Sequence, residues 1–307
     1  MIVFMTGGTG FCGRAIVRRL LERTDLEMIY LLTRGNRQPI EIFDPTDRIK
    51  YWKGDITECA FPGPQYKITH LIHGACDAND LLQPDRHYYY YTIVEGARRI
   101  FEWAQERGVP NTLFLSSGVA AFRDTTYGRG KRQSEFLAEH FKLPNFKIAR
   151  IFSVVGEEMP LNGQYAIGKF VHQAIFDKEV RFYGGSSVRS YLHVTDCAEW
   201  CHAIMERGAP NVPYDVGGPL PMSVKELAYV VGKVLNVPVQ EVPEPPDARP
   251  PTIYVPRAVD TMMSLRTSVS IPLEKAIRSV REAILRDPDL QPTESPEGGG
   301  GVHSISD

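Results

Sequence analysis

The sequence lacks three features that would assign it to a specialised class of protein. It has no apolar run approaching about 18 residues, so no membrane-spanning helix is predicted. Its five cysteines are an odd number without CxxC spacing, so neither a disulfide framework nor a metal site is indicated. The net charge is -2 and no basic run is present, which argues against binding to nucleic acid or to an anionic membrane. We therefore expect a cytoplasmic protein that acts on small molecules.

A glycine-rich segment at the start of the chain is its clearest motif. Residues 2–5 are apolar and predict a short buried strand, and apolar residues at helical spacing follow the glycines. Gly7 allows a tight turn, Gly10 lets backbone approach a pyrophosphate, and Gly13 lets the helix pack closely on the strand. We therefore expect this turn, with Phe11 opening the helix, to bind a dinucleotide.

Strand and helix patterns alternate through the first half of the chain. The predicted strands are residues 2–5, 28–33, 49–52, 69–73, 112–115 and 146–151. Strands that are nearly all apolar and alternate with helices predict an α/β protein with a doubly wound parallel sheet, the Rossmann fold.

The regular alternation ends near residue 155, which indicates a second domain. We predict a dinucleotide-binding domain at residues 1–155, to which residues 191–206 return. A smaller mixed α/β domain for substrate is predicted at residues 156–286. Residues 287–307 are rich in proline and glycine and have too little apolar surface to repay ordering, so we expect a flexible tail.

Three polar residues follow the dinucleotide motif in an order that indicates a catalytic site. Ser117 ends the fifth strand, at the carboxyl edge of the sheet where open α/β folds bind ligands. Tyr127 and Lys131 lie four residues apart at the start of the next helix and therefore share one face. An ammonium in that position favours the phenolate form of tyrosine, which makes the tyrosine a usable acid and base.

The end of the second strand indicates which dinucleotide is bound. An acidic residue there would bind the ribose 2′-hydroxyl of NAD, whereas an arginine accommodates the 2′-phosphate of NADP. The residues present are Thr33 and Arg34, so NADP is favoured over NAD.

With these motifs in this order, the chain resembles the extended short-chain dehydrogenase/reductases, the NAD-dependent epimerase/dehydratase family that modifies nucleotide-activated sugars. The resemblance covers about residues 1–285. It implies that Ser117 hydrogen-bonds the reacting sugar oxygen and that Tyr127 exchanges its proton. Lys131 would hold the nicotinamide ribose while tuning the tyrosine.

Two further segments match the family at the cofactor. Gly54-Asp55-Ile56 is similar to its adenine-contacting segment, and His73-Gly74-Ala75 is similar to its His-x-Ala-Ala motif. The cofactor contacts implied by this resemblance are Asp55, Ile56, Gly74 and Ala75.

For the substrate, the segment from Arg189 to Asp196 resembles the family block Arg-(Asp/Ser)-(Tyr/Phe)-x-x-Val-x-Asp, whose arginine contacts the nucleotide diphosphate. His193 would line the sugar pocket or serve as a structural histidine, and Arg249 would bind a diphosphate or face solvent. The predicted substrate contacts are Ser117, Ser153, Arg189, His193 and Arg249. The resemblance also places the tyrosine-rich helix that begins near Tyr88 at the interface of a homodimer.

The chain departs from the family where some members carry elimination chemistry. Gly118 and Val119 follow the serine, where dehydratases and decarboxylases of the family have acidic residues, and the loop before Tyr127 is short. Ser153 and Ile93 stand where many members have asparagine. We therefore expect a nucleotide-sugar 4-epimerase or 4-keto reductase. The alternatives are a 4,6-dehydratase and a non-catalytic NADP-binding sensor or scaffold.

Overall fold

The computed structural model describes residues 1–35, 46–76, 85–159, 165–246, 248 and 250–286. The tail predicted at residues 287–307 lies outside the described residues. By its internal contacts the chain divides into two compact units. The first unit comprises residues 1–152, 195–216 and 256–268, and the second comprises residues 153–194, 217–255 and those that follow 268.

The secondary structure alternates strands and helices. The strands are β1 (Ile2–Thr6), β2 (Met28–Thr33), β3 (Ile49–Lys53), β4 (His70–His73), β5 (Asn111–Ser117), β6 (Phe146–Ile151), β7 (Val154–Val155), β8 (Val180–Phe182), β9 (Val188–Ser190), β10 (Leu192–His193), β11 (Pro213–Val216), β12 (Pro221–Ser223), β13 (Val239–Glu241) and β14 (Ile253–Tyr254). The α-helices are α1 (Phe11–Leu21), α2 (Arg86–Glu106), α3 (Val119–Phe122), α4 (Thr126–Phe141), α5 (Ala166–Phe176), α6 (Val194–Arg207), α7 (Val224–Leu235), α8 (Ala258–Leu265) and α9 (Leu273–Arg286), with a 3-10 turn at Pro64–Tyr66.

The described part of the first unit contains a parallel sheet of seven strands in the order β11-β6-β5-β4-β1-β2-β3. Its central strands are apolar on both faces because helices cover both. Leu71 of β4 packs in a core with residues of α2 and α4, whereas the next residue, Ile72, lies against residues of α1 and α6. The structure therefore confirms the predicted doubly wound sheet.

The strand order reverses between β1 and β4. From β1 the chain proceeds to β2 and β3 on one side of the sheet, and β4 begins the series on the other side. Connections that leave β1 and β4 consequently diverge at the carboxyl edge, which is the position at which open α/β sheets form their binding crevice.

In its described residues, the second unit consists of short strands and three helices that pack together. Its described residues form three small sheets, with the orders β12-β9-β14, β10-β7 and β13-β8, and the helices are α5, α7 and α9. Helix α7 begins with a capping box, in which Ser223 and Glu226 each bond the backbone amide of the other. In the residues that the structure describes, every helix is too short or too polar to span a lipid bilayer.

Candidate functional site

The glycine turn after β1 has a shape that only glycine permits at two of its positions. Gly7 has a φ of +76°, and a Cβ there would lie 2.5 Å from the carbonyl carbon of Gly74. A Cβ at Gly13 would lie 2.0 Å from the oxygen of Gly7. Helix α1 therefore starts directly against the turn, with Gly10 as its N-cap. The amides of its first turn have no partner within the helix, so they suit an anion such as a pyrophosphate.

The loop after β4 is locked to the end of β1 by one hydroxyl. Thr6 Oγ1 accepts hydrogen bonds from the amides of Gly74 and Ala75, at 3.2 and 3.1 Å. It also lies 2.7 Å from Nδ1 of His73. Burial, with a smaller contribution from Lys131, lowers the pKa of His73 to about 3, so the ring is neutral. Because Thr6 Oγ1 already accepts from two amides, its own proton is left to donate to Nδ1. The structure thus brings Gly74 and Ala75 against the glycine turn.

At the far side of β1, the ends of β2 and β3 bring Arg34 near Asp55. The Gly54 amide donates to Thr33 O at 2.9 Å, which joins the two strand ends. Burial opposes ionisation of Asp55, but hydrogen bonds from Thr57 and the charge of Arg34 outweigh it and lower the pKa of this carboxyl. Arg34 itself is exposed.

Ile56 follows Asp55 and belongs to a packed contact. Its side chain lies against Gly96 of α2, where a Cβ would approach Ile56 Cγ2 to 2.9 Å. Arg99 of the same helix donates to the Ile56 carbonyl at 3.1 Å. The segment 54–56 is therefore held in place by α2.

The structure brings Tyr127 and Lys131 together beside the end of β5. Lys131 is buried, and its Nζ lies 5.7 Å from the centroid of the Tyr127 ring. The same ammonium donates to the carbonyl of Leu115 at 2.9 Å, two residues before Ser117. Ser117 is buried at the strand end and its Oγ donates to the Ile151 carbonyl at 3.4 Å. The Tyr127 ring and the Lys131 ammonium are thus adjacent, and the ammonium is bonded to the strand that ends in Ser117.

The connection from Ser117 to Tyr127 is short and consists of helix α3 and the three residues that separate it from α4. The Thr125 hydroxyl accepts from the Gly128 amide at 3.0 Å and caps α4. A Cβ at Gly128 would lie 2.5 Å from the Arg123 carbonyl, and a Cβ at Gly118 would lie 2.4 Å from the ring of Phe152. Phe152 therefore occupies the space that a side chain at position 118 would need.

Sequence reasoning missed a largely buried ion pair that involves Glu135, one helical turn after Lys131 on α4. Arg150 donates through Nε and Nη2 to the two carboxylate oxygens of Glu135, at 3.0 and 2.6 Å. Ser116 Oγ donates to Oε1 of the same carboxylate at 2.6 Å. Glu135 follows Lys131 by four residues, the spacing that linked Tyr127 to Lys131, so the local pattern contained a signal for Glu135 but none for its partner Arg150.

The charge of Lys131 is set by opposing effects. Burial lowers the pKa of its ammonium, whereas the interactions with Cys76 and with the carboxylate of Glu135 act in the opposite direction. The aromatic ring of Phe114, whose centroid lies 5.0 Å from Nζ, also favours the cation.

Ser117 lies in the first unit, and the other predicted substrate residues that can be described, Ser153, Arg189 and His193, belong to the second unit. Arg189 is held by its own strand and by Thr252, which precedes the neighbouring strand β14. Nη1 donates to the carbonyls of Val188 and Thr252, and Nη2 donates to the Thr252 hydroxyl at 2.9 Å. Its guanidinium carbon lies 6.0 Å from the centroid of the Tyr254 ring. Arg249 lies outside the described residues.

His193 and Ser153 are close to each other in the second unit because β7 and β10 pair in parallel. The Ser153 carbonyl accepts from the amide of Leu192 at 3.1 Å. His193 is buried, and its Nε2 lies 3.7 Å from a carboxylate oxygen of Glu157.

A surface groove of about 560 Å³ lies on the first unit beside α4. Its lining includes Arg132, Phe136, Ile148 and the Glu135–Arg150 pair. Ser117, Tyr127 and Lys131 do not line it, so the groove is distinct from the group of residues that the sequence indicated.

The model of the NAD dependent epimerase/dehydratase family matches residues 3–217. UDP-glucuronic acid decarboxylase 1 of Arabidopsis thaliana is 26% identical over 266 residues, an alignment that covers 76% of this chain and 58% of that protein. The chain thus spans less than two thirds of that relative. UDP-glucuronic acid decarboxylase 6 of Arabidopsis thaliana is 24% identical over 291 residues, which cover 82% of this chain and 81% of the relative.

Solved structures share the fold at low sequence identity. UDP-glucose 4-epimerase of Thermotoga maritima, with UDP-glucose, superposes with a TM-score of 0.80 at 18% identity over 93% of this chain and 99% of its own. The dTDP-glucose 4,6-dehydratase of Streptomyces venezuelae, with NAD and TYD bound, has a TM-score of 0.77 at 19% identity over 95% of this chain and 100% of its own. The architecture is therefore shared by one protein named as a 4-epimerase and another named as a 4,6-dehydratase.

Proposed function

Because the chain belongs to the NAD-dependent epimerase/dehydratase family, we propose that it is an NAD(P)-dependent oxidoreductase acting at C4 of a nucleotide-activated sugar. The observation that carries the proposal is the Lys131 ammonium, which lies beside the Tyr127 ring and bonds the strand that ends in Ser117. Ser117 would hydrogen-bond the C4 oxygen, and Tyr127 would take or return its proton. A bound nicotinamide would supply the hydride chemistry.

The glycine turn fits the dinucleotide that this function needs. Its amides at the start of α1 suit the pyrophosphate, and the lack of a side chain at Gly10 leaves the backbone open to close approach. Lys131 would hold the nicotinamide ribose, with its position set by the bond to the Leu115 carbonyl.

A 4-epimerase or a 4-keto reductase is favoured over enzymes that eliminate or decarboxylate. Those chemistries in this family use an acidic residue after the serine, and here Phe152 fills the space beside Gly118. The relatives named as decarboxylases therefore do not assign their reaction to this chain. The alternatives are a 4,6-dehydratase and a non-catalytic sensor or scaffold, but the retained serine, tyrosine and lysine support an enzyme.

Mass spectrometry of the purified protein tests this proposal, since it identifies a retained dinucleotide together with any nucleotide sugar. Incubation with UDP- and dTDP-hexoses and their 4-keto derivatives then separates the two activities. An epimerase interconverts the C4 epimers with no net use of cofactor, whereas a reductase consumes reduced cofactor in proportion to product. Failure to bind any dinucleotide would contradict the proposal.

The exposed arginine after β2 leads us to propose that NADP is preferred to NAD. A 2′-phosphate beside Arg34 would gain a charge-assisted hydrogen bond, so we expect about tenfold tighter binding of NADP. Arg34→Ala should remove most of that preference in titrations with both cofactors. Arg107→Ala, at an exposed arginine that caps α2, is the control and should leave the preference intact. NAD binding as tight as NADP in the unmutated protein would refute the assignment.

We further propose that the chain forms a homodimer through α2 and α4, which pack side by side. Tyr88, Tyr91 and Phe136 on these helices are 62%, 53% and 58% exposed, an apolar surface that a monomer would leave in water. Light scattering at micromolar concentration should give twice the chain mass, and the double variant Tyr91→Arg, Phe136→Asp should give a monomer. Tyr229→Asp, at a half-exposed tyrosine of α7, should remain dimeric. A monomeric unmutated protein would refute this proposal.

A further inference from the structure

A buried carboxylate stands one helical turn beyond Lys131 on α4. Glu135 and Lys131 are both buried and, four residues apart, share the same face of the helix. Groups from three elements surround the ammonium. They are His73 at the end of β4 and Cys76 in the loop after it, the Phe114 ring and Leu115 carbonyl of β5, and Tyr127 and Glu135 of α4. His73 is neutral and therefore places no charge beside the ammonium. Glu135 is the carboxylate among these groups.

Glu135 is held in one orientation by both neighbouring strands. Ser116 and Arg150 are cross-strand partners in β5 and β6, and both reach the same carboxylate. The guanidinium binds it through two parallel hydrogen bonds, the geometry that gives an arginine–carboxylate pair its directional specificity. The carboxylate cannot change its orientation without breaking bonds to two strands.

The same helix is thus attached to β5 at two successive residues. Lys131 bonds the carbonyl of Leu115, and Glu135 bonds the hydroxyl of Ser116. The next residue of the strand is Ser117. These two attachments fix the position of α4 along β5, and therefore relative to Ser117 at the end of the strand.

We infer that Glu135, fixed by Ser116 and Arg150, is a positioning residue that keeps the Lys131 ammonium charged and aligned with the end of β5. The inference rests on the proposed function only in what it says about the use of Lys131. Arg150 neutralises the far side of the carboxylate and also lies near Asp215, so the pair is not a net negative charge in the core. Loss of Glu135 would leave Lys131 buried without that carboxylate, a condition that favours the neutral amine.

The charge of Lys131 can be read without any cofactor. In protein labelled with ¹³C at the lysine ε-carbons, the Lys131 resonance is assigned by its loss in Lys131→Arg, and its shift is followed against pH. Glu135→Gln keeps the shape and most hydrogen bonds but removes the charge, so we expect the Lys131 midpoint to fall by about one pH unit. Glu135→Asp keeps the charge and should give a midpoint between those of Glu135→Gln and the unmutated protein.

The matched control is Glu139→Gln, at an exposed glutamate one turn further along α4, which should leave the midpoint unchanged. If Glu135→Gln does not fold, the double variant Glu135→Gln, Arg150→Met removes both charges of the pair. The Lys131 midpoint should still fall, but by less than in Glu135→Gln because the arginine charge is removed as well. A Lys131 midpoint equal to that of Glu139→Gln in whichever variant folds overturns the inference. Loss of the proposed function would appear separately, as absence of dinucleotide binding in a protein whose Lys131 still titrates.

Discussion

Replacing Tyr127 with phenylalanine should lower turnover of the nucleotide sugar by about 10² to 10⁴-fold. The substitution deletes the phenol oxygen that we propose to exchange the C4 proton, and it keeps the ring that packs 5.7 Å from the Lys131 ammonium. Substrate and cofactor affinity should change little, because the lost interaction develops in the transition state. Steady-state kinetics with cofactor titrations will separate kcat from binding.

Two further variants test whether the loss of turnover is specific to Tyr127 and whether Lys131 acts together with it. Tyr229→Phe, at a half-exposed tyrosine of α7, is the control for loss of a phenol and should keep full turnover. Lys131→Met should weaken both turnover and cofactor affinity, because its ammonium is proposed to act on tyrosine and ribose together. Near-full activity of Tyr127→Phe would exclude the mechanism and favour the sensor or another site.

The second large effect is expected at Gly13, where backbone atoms occupy the space that an added methyl group would need. Its Cβ would lie 2.0 Å from the Gly7 oxygen and 2.8 Å from the Gly8 Cα, both backbone atoms of the turn. Gly13→Ala should therefore displace α1 from the turn, with a loss of about 3 kcal/mol in the free energy of unfolding. Dinucleotide affinity should fall by about 100-fold or more, because the helix amides leave the pyrophosphate site. Denaturant unfolding and cofactor titration measure the two effects.

Gly10→Ala separates loss of the fold from loss of the site. A Cβ at Gly10 would meet the Gly7 oxygen at 3.3 Å, a tight contact that a small shift relieves, so the unfolding free energy should change by less than in Gly13→Ala. The methyl group would nevertheless stand between backbone and pyrophosphate, and cofactor affinity should still fall. Retention of full affinity in both variants would show that this turn is not the dinucleotide site.

The sequence was sufficient to predict the central sheet because its strands are apolar on both faces and alternate with helices. Strand β11, the seventh of the sheet, was not predicted as part of it. It begins with Pro213 and contains Asp215, which is buried in the structure. Burial raises the pKa of that carboxyl, and the Arg257 amide donates to it at 2.9 Å. A charged residue satisfied by a partner 42 positions away leaves no local signal for a buried strand.

The candidate site likewise contains one pair of residues that the sequence could predict and another that it could not. Tyr127 and Lys131 could be paired from the sequence because helical spacing brings them to one face. The Glu135–Arg150 pair could not, since it joins α4 to β6 and depends on the register of two strands. The geometry of Arg249 lies outside the described residues, so its assignment stays a prediction.

The two ends of the proposed dinucleotide site differ in how much change they can accept. The glycine turn leaves no space, because a Cβ at Gly7 would enter the Gly74 peptide. Arg34 instead follows the end of β2 with its side chain exposed, and an exposed side chain can be exchanged at little cost in stability. An engineer or a diverging lineage could thus exchange one nicotinamide cofactor for the other at the adenosine end. Changing the pyrophosphate-binding end would require coordinated changes in the loops that follow β1 and β4.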